Sequence, residues 1–447
     1  MRLARPPLWI LLLLLQLPLI LNPGYFSHDE LQWWSRADVP SWSALPWISW
    51  LDVSPLQYRP LTFNLWLVLA HALAAMPWAM HLAFVLFGTA NACLLRRVLV
   101  DARLNERVAY VAAIVFSLNP YAVYVHGWTG TLADLLTLAC CLLAVRAIQE
   151  PHSPAQALPR AAIAAFLVAL ALTAKESAIV LPALLALAAF GQSSTRTIRL
   201  AVAFSTAITV AYLALRLPAL SNSAHASPAY AWSLRNAPAR LLEYLLYPFT
   251  PPLFEIAPIL EKSSLRLCAA GACVALLLAS LATIGWRWPI AWLVAFAAAL
   301  GPTLLLATSY DHYAYLASAA AIAIGAAAWP LIGRFPRWIL LFLAAITIIH
   351  GTAVMSRVVA IGPIQRALYD DLLAQLASGP HTVSIQVEDP RDAWLLQRLL
   401  HDVDRYRGVS IADRVGVGDE MALTADRTLW MDRGGHLHEA KRSANAN

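Results

Sequence analysis

The sequence predicts an all-α polytopic membrane domain followed by a small α/β unit, and three observations carry that prediction. Of 447 residues, 60% are hydrophobic and only 13% are charged, with a mean hydropathy of +0.61. The apolar residues fall in runs of near-spanning length separated by short charged interruptions, as helices crossing a hydrocarbon layer of about 30 Å require. From Ser356 onward the character changes: residues 356 to 447 hold eleven basic and thirteen acidic side chains, and their short periodic patterns read as strands and a helix.

Eleven spanning helices are expected, near 8 to 22, 78 to 97, 107 to 125, 131 to 148, 160 to 174, 177 to 190, 198 to 215, 265 to 285, 288 to 308, 313 to 332 and 337 to 355. The first follows Arg2 and Arg5 as a signal peptide would. Leu21-Asn22-Pro23-Gly24 offers no small-x-small cleavage site, however, so it is read as an uncleaved helix. The stretch Pro60 to Met76 is apolar too, and whether it spans sets the parity of everything after it. If it lies in or dips into the outer interface, Arg2, Arg5, Arg96, Arg97, Arg103, Arg107, Arg146, Arg160, Arg196, Arg199, Arg287, Arg334 and Arg337 all face the cytoplasm. The short outer turns then hold only Lys175, and the positive-inside rule holds throughout. The stretch is therefore assigned to the first outer loop as a re-entrant or interfacial helix, with Trp33, Trp34, Trp42, Trp47 and Trp50 before it as headgroup anchors.

This parity divides the acidic residues. Asp29, Glu30, Asp38, Asp52, Asp134, Glu176, Glu243, Glu255, Glu261 and Asp311 fall outside, and only Asp101, Glu106 and Glu150 inside. Carboxylates contribute little to orientation, so their collection on one face points to a shared outer site. Individually each has a plain alternative. Asp29-Glu30 fits a solvated loop start, Asp134 fits the first turn of a helix where the dipole favours an anion, and Lys175-Glu176 fits a neutral pair closing a tight turn. Arg59-Pro60 fits a snorkelling anchor and Tyr310-Asp311-His312-Tyr313 an aromatic belt. Yet the chain has just three lysines, Lys175, Lys262 and Lys441, and one at an apolar helix junction is costly unless it meets an anion. The five cysteines (Cys93, Cys140, Cys141, Cys268, Cys273) all lie in hydrophobic segments with no metal spacing and read as small buried apolar residues.

His28-Asp29-Glu30 after the first helix, Tyr58-Arg59-Pro60-Leu61-Thr62, Leu118-Asn119-Pro120 with Ala133-Asp134-Leu135-Leu136, Ala174-Lys175-Glu176-Ser177 and Tyr313-Ala314-Tyr315-Leu316-Ala317-Ser318 follow one another in an order that resembles the GT-C glycosyltransferases using polyprenyl-phosphate sugars. The order is most similar to the protein O-mannosyltransferase branch that carries tetratricopeptide repeats, over roughly residues 8 to 330. The resemblance implies inverting transfer of a sugar from a lipid phosphate to an acceptor hydroxyl. It assigns Asp29, with Glu30 as close rival, and Asp134 as catalytic carboxylates, and Arg59 and Lys175 as contacts of the donor phosphate. His312 stands where relatives tend to place Arg, and no helical repeat follows the membrane domain. His28, Glu176, Asp311, Tyr313 and Tyr315 are expected to complete the substrate pocket.

The residue types suit that chemistry independently. A phosphate-linked sugar has a good leaving group, so what is needed is a base for the acceptor, cations for the departing phosphate and an apolar groove for the isoprenoid tail. No cofactor is expected. Metal-independent catalysis is favoured because no tight Asp-x-Asp pair is present, although oxygen-rich metal sites cannot be counted from sequence. The expected partners are a polyprenyl-phosphate-linked sugar, membrane lipid and an acceptor protein or glycan, with no nucleic acid.

Two other readings compete: a transporter or flippase of a lipid-linked glycan, which would place polar groups near the midplane of repeated halves, and an inactive scaffold. Residues 1 to 355 form the expected transmembrane glycosyltransferase domain. Residues 356 to 447 form a small extracytoplasmic domain with a strand at 382 to 387, a helix at 391 to 403 and a strand at 428 to 431. That domain recognises the acceptor or caps the membrane domain, Gly416-x-Gly418 is too little for a phosphate loop, and the tail from Arg442 is expected to be disordered. The expected location is the bacterial inner membrane, with the site and C-terminal domain on the periplasmic side.

Overall fold

The computed structural model describes residues 6–149, 154–188, 196–221, 231–379, 382–387, 389–417 and 425–439. Arg2, Arg5, Glu150, Gly418, Lys441 and the tail from Arg442 lie outside the described residues. The chain begins with α1 (Leu8–Leu15) and α2 (Leu17–Ile20), broken at Gln16 where Pro18 opens the second piece. A break at this depth needs polar partners, and the buried Gln16 amide supplies them by bonding Ser117 Oγ at 3.0 Å and His126 Nδ1 at 2.6 Å.

After α3 (His28–Ala37) come α4 (Pro60–Leu73), α5 (Pro77–Asp101), α6 (Glu106–Leu118) and α7 (Pro120–Gly127). The last two meet at a 60° bend. Pro120 lacks the amide that would continue the ladder, while the Asn119 side chain caps the new start by accepting from the Tyr121 and Ala122 amides. Then follow α8 (Leu132–Gln149), α9 (Ala157–Ala174), α10 (Leu181–Ala188), α11 (Arg196–Ser221), α12 (Ala237–Leu246), α13 (Ser264–Ala282), α14 (Arg287–Leu300), α15 (Tyr315–Ala328) and α16 (Arg334–Ala377).

Among the described residues, seven helices are long and apolar enough to cross a membrane, or eight if the bent pair is one span. The expected eleven is therefore not reached on that measure. The first expected span is broken at Gln16, the sixth is a short 3₁₀-plus-α segment (Glu176–Ala188), and α15 has 14 residues.

The bundle has two chemically distinct ends. At one, α8 begins and α9 stops beside each other, bringing Asp134 to Lys175. At the other, Arg146 meets Asp101 and Arg96 meets Glu106. Both ends of α4 stay with the first group. Thr62 donates to the Ala174 carbonyl at 2.8 Å, and at the far end the Ala74 carbonyl accepts from the Tyr25 hydroxyl at 2.6 Å, while the His71 ring bonds the Ala37 carbonyl at 3.0 Å. A single unbroken helix of 14 residues held this way at both ends lies along that face instead of crossing the bundle.

Helix α16 runs 44 residues and passes position 356 without a break. Its Gly351 packs against the bend between α6 and α7, where a Cβ would overlap the Leu118 carbonyl. A four-stranded sheet follows, in the order β4-β1-β5-β6, from β1 (Val383–Val387), β4 (Val415–Val417), β5 (Arg427–Met431) and β6 (Leu437–Glu439). Strand β1 is parallel to both neighbours, with Val383 opposite Val415 and Arg427, and β5 and β6 are antiparallel. Helix α17 (Ala393–Leu400) buries Leu395, Leu396, Leu399 and Leu400. A short hairpin of β2 (Arg405–Tyr406) and β3 (Val409–Ser410) turns at Arg407 and Gly408, both at positive φ. This hairpin docks on α3: the Gly408 amide donates to Asp38 at 2.8 Å, the Arg405 amide to Ser35 Oγ at 3.0 Å, and Tyr406 packs on Trp34.

Candidate active site

A cavity of about 1260 Å³ opens between the cation-and-carboxylate end of the bundle and the C-terminal sheet unit. Its walls include His28, Asp29, Arg36, Arg59, Glu255, Asp311, His312 and Tyr313 from the membrane part, and Trp394, Gln397, Arg398 and His401 from α17 and the turn after it. Residues from five separate segments thus meet at one place.

The first segment splits its two carboxylates between different tasks. Ser27 and Glu30 form a capping box, in which the N-cap hydroxyl and the N3 carboxylate satisfy opposite backbone amides at the start of α3. Glu30 is 1% exposed. It accepts from the Phe26 and Ser27 amides at 2.5 and 2.8 Å, and from the Thr129 amide and hydroxyl at 2.7 and 2.8 Å. Burial pushes its carboxyl up to about 7, while these donors pull the other way. All its acceptor capacity is used, and it does not line the cavity. The structure therefore corrects the expectation of Glu30 as rival base: it is the clamp joining the start of α3 to the turn before α8.

Asp29 points the other way, lines the cavity and keeps 41% of its side chain exposed. Its Oδ1 lies 3.2 Å from His28 Nε2, and His28 Nδ1 lies 3.0 Å from the Arg398 carbonyl oxygen. A carbonyl only accepts, so Nδ1 carries a proton. His28 thus orients Asp29 and is itself oriented by the C-terminal unit.

The cations expected to meet a phosphate are engaged with carboxylates. Lys175 Nζ bonds Asp134 Oδ1 at 2.5 Å, with only 3% and 9% of the two side chains exposed, and the ammonium lies 4.7 Å above the Tyr313 ring. Neither Lys175 nor Asp134 lines the cavity, so both stand behind its aromatic wall. Arg59 does line it and pairs through Nε with Glu176 Oε2 at 2.8 Å, Glu176 lying outside the lining. His312 lines it against Trp128 and Tyr313, with Nδ1 unbonded. Burial, then the Lys175 and Arg59 charges, hold this imidazole well below its ordinary range, so it meets a ligand as a neutral ring.

Asp311 lines the cavity from the turn before α15 and is 3% exposed. Tyr315, expected in the pocket, lies elsewhere: its hydroxyl bonds His126 Nε2 at 3.0 Å in a buried chain with Gln16 and Asn91. Among the described residues no three His, Cys, Asp or Glu side chains gather as a metal-binding group.

Two arginines of the cavity, Arg36 and Arg398, have no counterpart in the sequence analysis, nor do Trp394, Gln397 and His401. Arg36 reaches the cavity from the last turn of α3, over Trp33 at 5.0 Å. Arg398 enters from α17 and bonds Glu255 Oε1 at 2.6 Å, the Tyr124 hydroxyl at 3.1 Å and the Phe26 carbonyl at 3.2 Å, above the Phe26 ring at 3.9 Å. Arg398 is 372 positions from Phe26, and no local signal marks such a contact. For Glu30 a signal exists, the Ser-x-x-Glu spacing of Ser27 and Glu30.

No family model matches the chain, and no curated protein matches it either. Among solved structures, it is similar to the archaeal oligosaccharyltransferase AglB from Archaeoglobus fulgidus in complex with an inhibitory peptide and a dolichol-phosphate, at 11% identity and a TM-score of 0.47. It is also similar to the same organism's oligosaccharyltransferase tethered with an acceptor peptide containing the NVT sequon (11%, 0.46) and in the apo form (11%, 0.47). Each match covers 88% of this chain and 62 or 63% of the other, so the chain spans less than two thirds of the length of those proteins. At this identity and with TM-scores below 0.5, these likenesses decide nothing about the site.

Proposed function

We propose that the protein is a membrane glycosyltransferase that moves a sugar from a polyprenyl-phosphate donor to an acceptor hydroxyl, with Asp29 as the base. The observation that carries this reading is the cavity: a half-exposed carboxylate, an arginine and a neutral imidazole face one chamber at the end of an apolar bundle, where a lipid-borne headgroup and a water-borne acceptor can meet. The order of sequence motifs that resembles the GT-C enzymes supports the same class.

In this scheme Asp29 takes the hydroxyl proton, the acceptor oxygen bonds the anomeric carbon, and the bond from that carbon to the phosphate oxygen breaks with inversion. Arg59 and His312 face the phosphate as its charge grows. Lys175, held behind Tyr313, acts on the phosphate only through that wall. The cavity faces the extracytoplasmic side in this reading, because the opposite end carries Arg96, Arg103, Arg107 and Arg146.

Reconstitution with radiolabelled polyprenyl-phosphate sugar tests the class: an enzyme releases polyprenyl phosphate, whereas a flippase moves the donor intact. Asp29→Asn is expected to lower turnover about 100- to 10,000-fold, the range for losing one acid–base group, with donor binding retained. Near-normal transfer in that variant would remove Asp29 as the base.

A further inference from the structure

A lipid phosphate would bring negative charge into a chamber where the buried or half-buried cations in and behind the wall already hold carboxylates. Arg59 holds Glu176 at 2.8 Å, Lys175 holds Asp134 at 2.5 Å, and Arg398 holds Glu255 at 2.6 Å. Arg36 is exposed. Neutral hydrogen-bond donors fixed in the wall must therefore share in meeting the anion.

Asp311 is placed to be one. A buried carboxylate can accept about four hydrogen bonds, and Glu30 in the same region has all four. Asp311 Oδ2 has one long bond from the Ile256 amide at 3.4 Å, the Tyr247 hydroxyl is a second donor beside the carboxyl, and the buried Oδ1 has no partner. A second carboxylate, Glu255, stands beside it. A carboxyl group with fewer donors than Glu30, buried and set next to another acid, keeps its proton, and Asp311 is among the residues that line the cavity.

We propose that Asp311 is a neutral carboxylic acid that donates its O–H to an anionic oxygen of the donor phosphate. The inference rests on the lipid-phosphate reading above. No bond to the proton breaks: it stays on Asp311 while the hydrogen bond strengthens as charge gathers on the leaving oxygen.

Among the ionisable groups around Asp311, Glu255 favours this state, while the Tyr247 hydroxyl, donating to the carboxyl, opposes it. Glu255 opposes its ionisation, and the Arg398 charge is engaged by Glu255. Tyr247 follows α12, Tyr244 and Glu243 lie on α12, Tyr121 and Tyr124 on α7, and Tyr310 and His312 flank Asp311 in its own turn. Glu243 is itself held by Ser309 at 2.6 Å and Arg240 at 2.9 Å. Burial, with Glu255 next, pushes Asp311 up to about 8. An anion that needs the protonated form therefore binds progressively more weakly above that pH.

The test uses the full chain in lipid nanodiscs with farnesyl phosphate as the probe, its dissociation constant measured from pH 6 to pH 9.5 in the wild type, Asp311→Asn and Asp311→Ala. The second ionisation of the phosphate, near pH 6, is essentially complete before the window of interest. Wild-type affinity is expected to fall about tenfold per pH unit above roughly pH 8. Asp311→Asn, whose amide still donates, should match the wild type at pH 7 and lose this decline. Asp311→Ala should bind about 10- to 100-fold more weakly, as for a lost hydrogen bond to a charged group. In the ligand-free protein, a carboxylic-acid infrared band should titrate near pH 8 and vanish in Asp311→Asn.

Binding that is equal in all three proteins and flat in pH overturns the role of Asp311 and leaves the lipid-phosphate reading standing. No binding by the wild type overturns that reading and donation to phosphate with it, while the infrared band reports separately whether Asp311 holds its proton. If Asp311→Ala does not fold, the wild-type pH curve and Asp311→Asn decide.

Discussion

At the cavity end of the bundle Lys175 and Asp134 meet at 2.5 Å with almost no exposure, whereas at the opposite end Arg146 and Asp101 meet at 2.8 Å with 31% and 27% of their side chains exposed. Both pairs close a gap between neighbouring helix ends. They differ in what surrounds them. The exposed pair replaces water on part of each ion and is screened by salt, so its contribution is small. The buried pair has lost its water, and each ion depends on the other. The same residue types therefore mark a surface at one end and a committed structure at the other. The sequence reading took Lys175 and Asp134 as two site groups. The comparison makes them one unit, neutral as a pair, that supports Tyr313.

Breaking that unit should give the largest stability effect. Lys175→Met leaves Asp134 buried and uncompensated, and about 3 to 5 kcal/mol of destabilisation is expected, read as a lowered unfolding midpoint in detergent. The double variant Lys175→Met/Asp134→Leu should recover most of the loss, because an apolar pair of similar volume removes the stranded charge. A double variant as unstable as the single one would contradict the account.

Glu30 sharpens the contrast through pH. Its carboxyl is raised from 4.5 to about 7, so between those values the unfolded chain releases a proton that the folded chain keeps. Its contribution is thus fully present below pH 4.5, falls as pH rises to 7 and is lost above, by an amount on the order of 3 kcal/mol. The unfolding midpoint of the wild type should fall relative to that of Glu30→Gln across this window. Parallel curves for the two proteins would deny Glu30 the effect.

Arg398→Ala tests the wall between the bundle and the sheet unit. It removes charge-assisted bonds to a partly exposed partner, so about 1 to 3 kcal/mol is expected, seen as lost hydrogen-exchange protection in α17 and β1 with α8 and α9 unchanged. Smallest of all should be Arg146→Met, at about 0 to 1 kcal/mol. A loss as large as that of Lys175→Met would erase the distinction between the two ends.

What could be read from the sequence divides along similar physical lines. Features set by neighbours in the chain were legible: the apolar runs, the helix start at Pro60, the first helical turn that holds Asp134, and the strands at 382 to 387 and 428 to 431, observed as Val383–Val387 and Arg427–Met431. The ordered motifs contain Asp29, Arg59 and Tyr313, and the turn just before the last motif contains Asp311 and His312; all five line one cavity, whereas Glu30, Asp134, Lys175, Glu176 and Tyr315 do not. Features set by distant packing were not legible. Strands β4 and β6 have three residues each, too short for a period to show. Lys175 meets Asp134 because α8 and α9 run side by side. The break at Gln16 and the 3₁₀ turn at Glu176–Val180 interrupt segments that hydropathy alone reads as whole spans.

Helix α16 gives the molecule a mechanical property of its own. Its 44 residues make a rod of roughly 66 Å at the standard rise, rooted among the membrane helices and ending at the sheet. Its inner face stays buried well past position 356, through Ile361, Leu368, Leu372 and Leu376. Pro363 lies inside this continuous helix past position 356, where a proline removes one bond of the ladder and bends the rod. In the proposed function, an acceptor reaches Asp29 between α17 and α3, both of which line the cavity, so the placement of the sheet unit beyond this rod sets the width of that entrance.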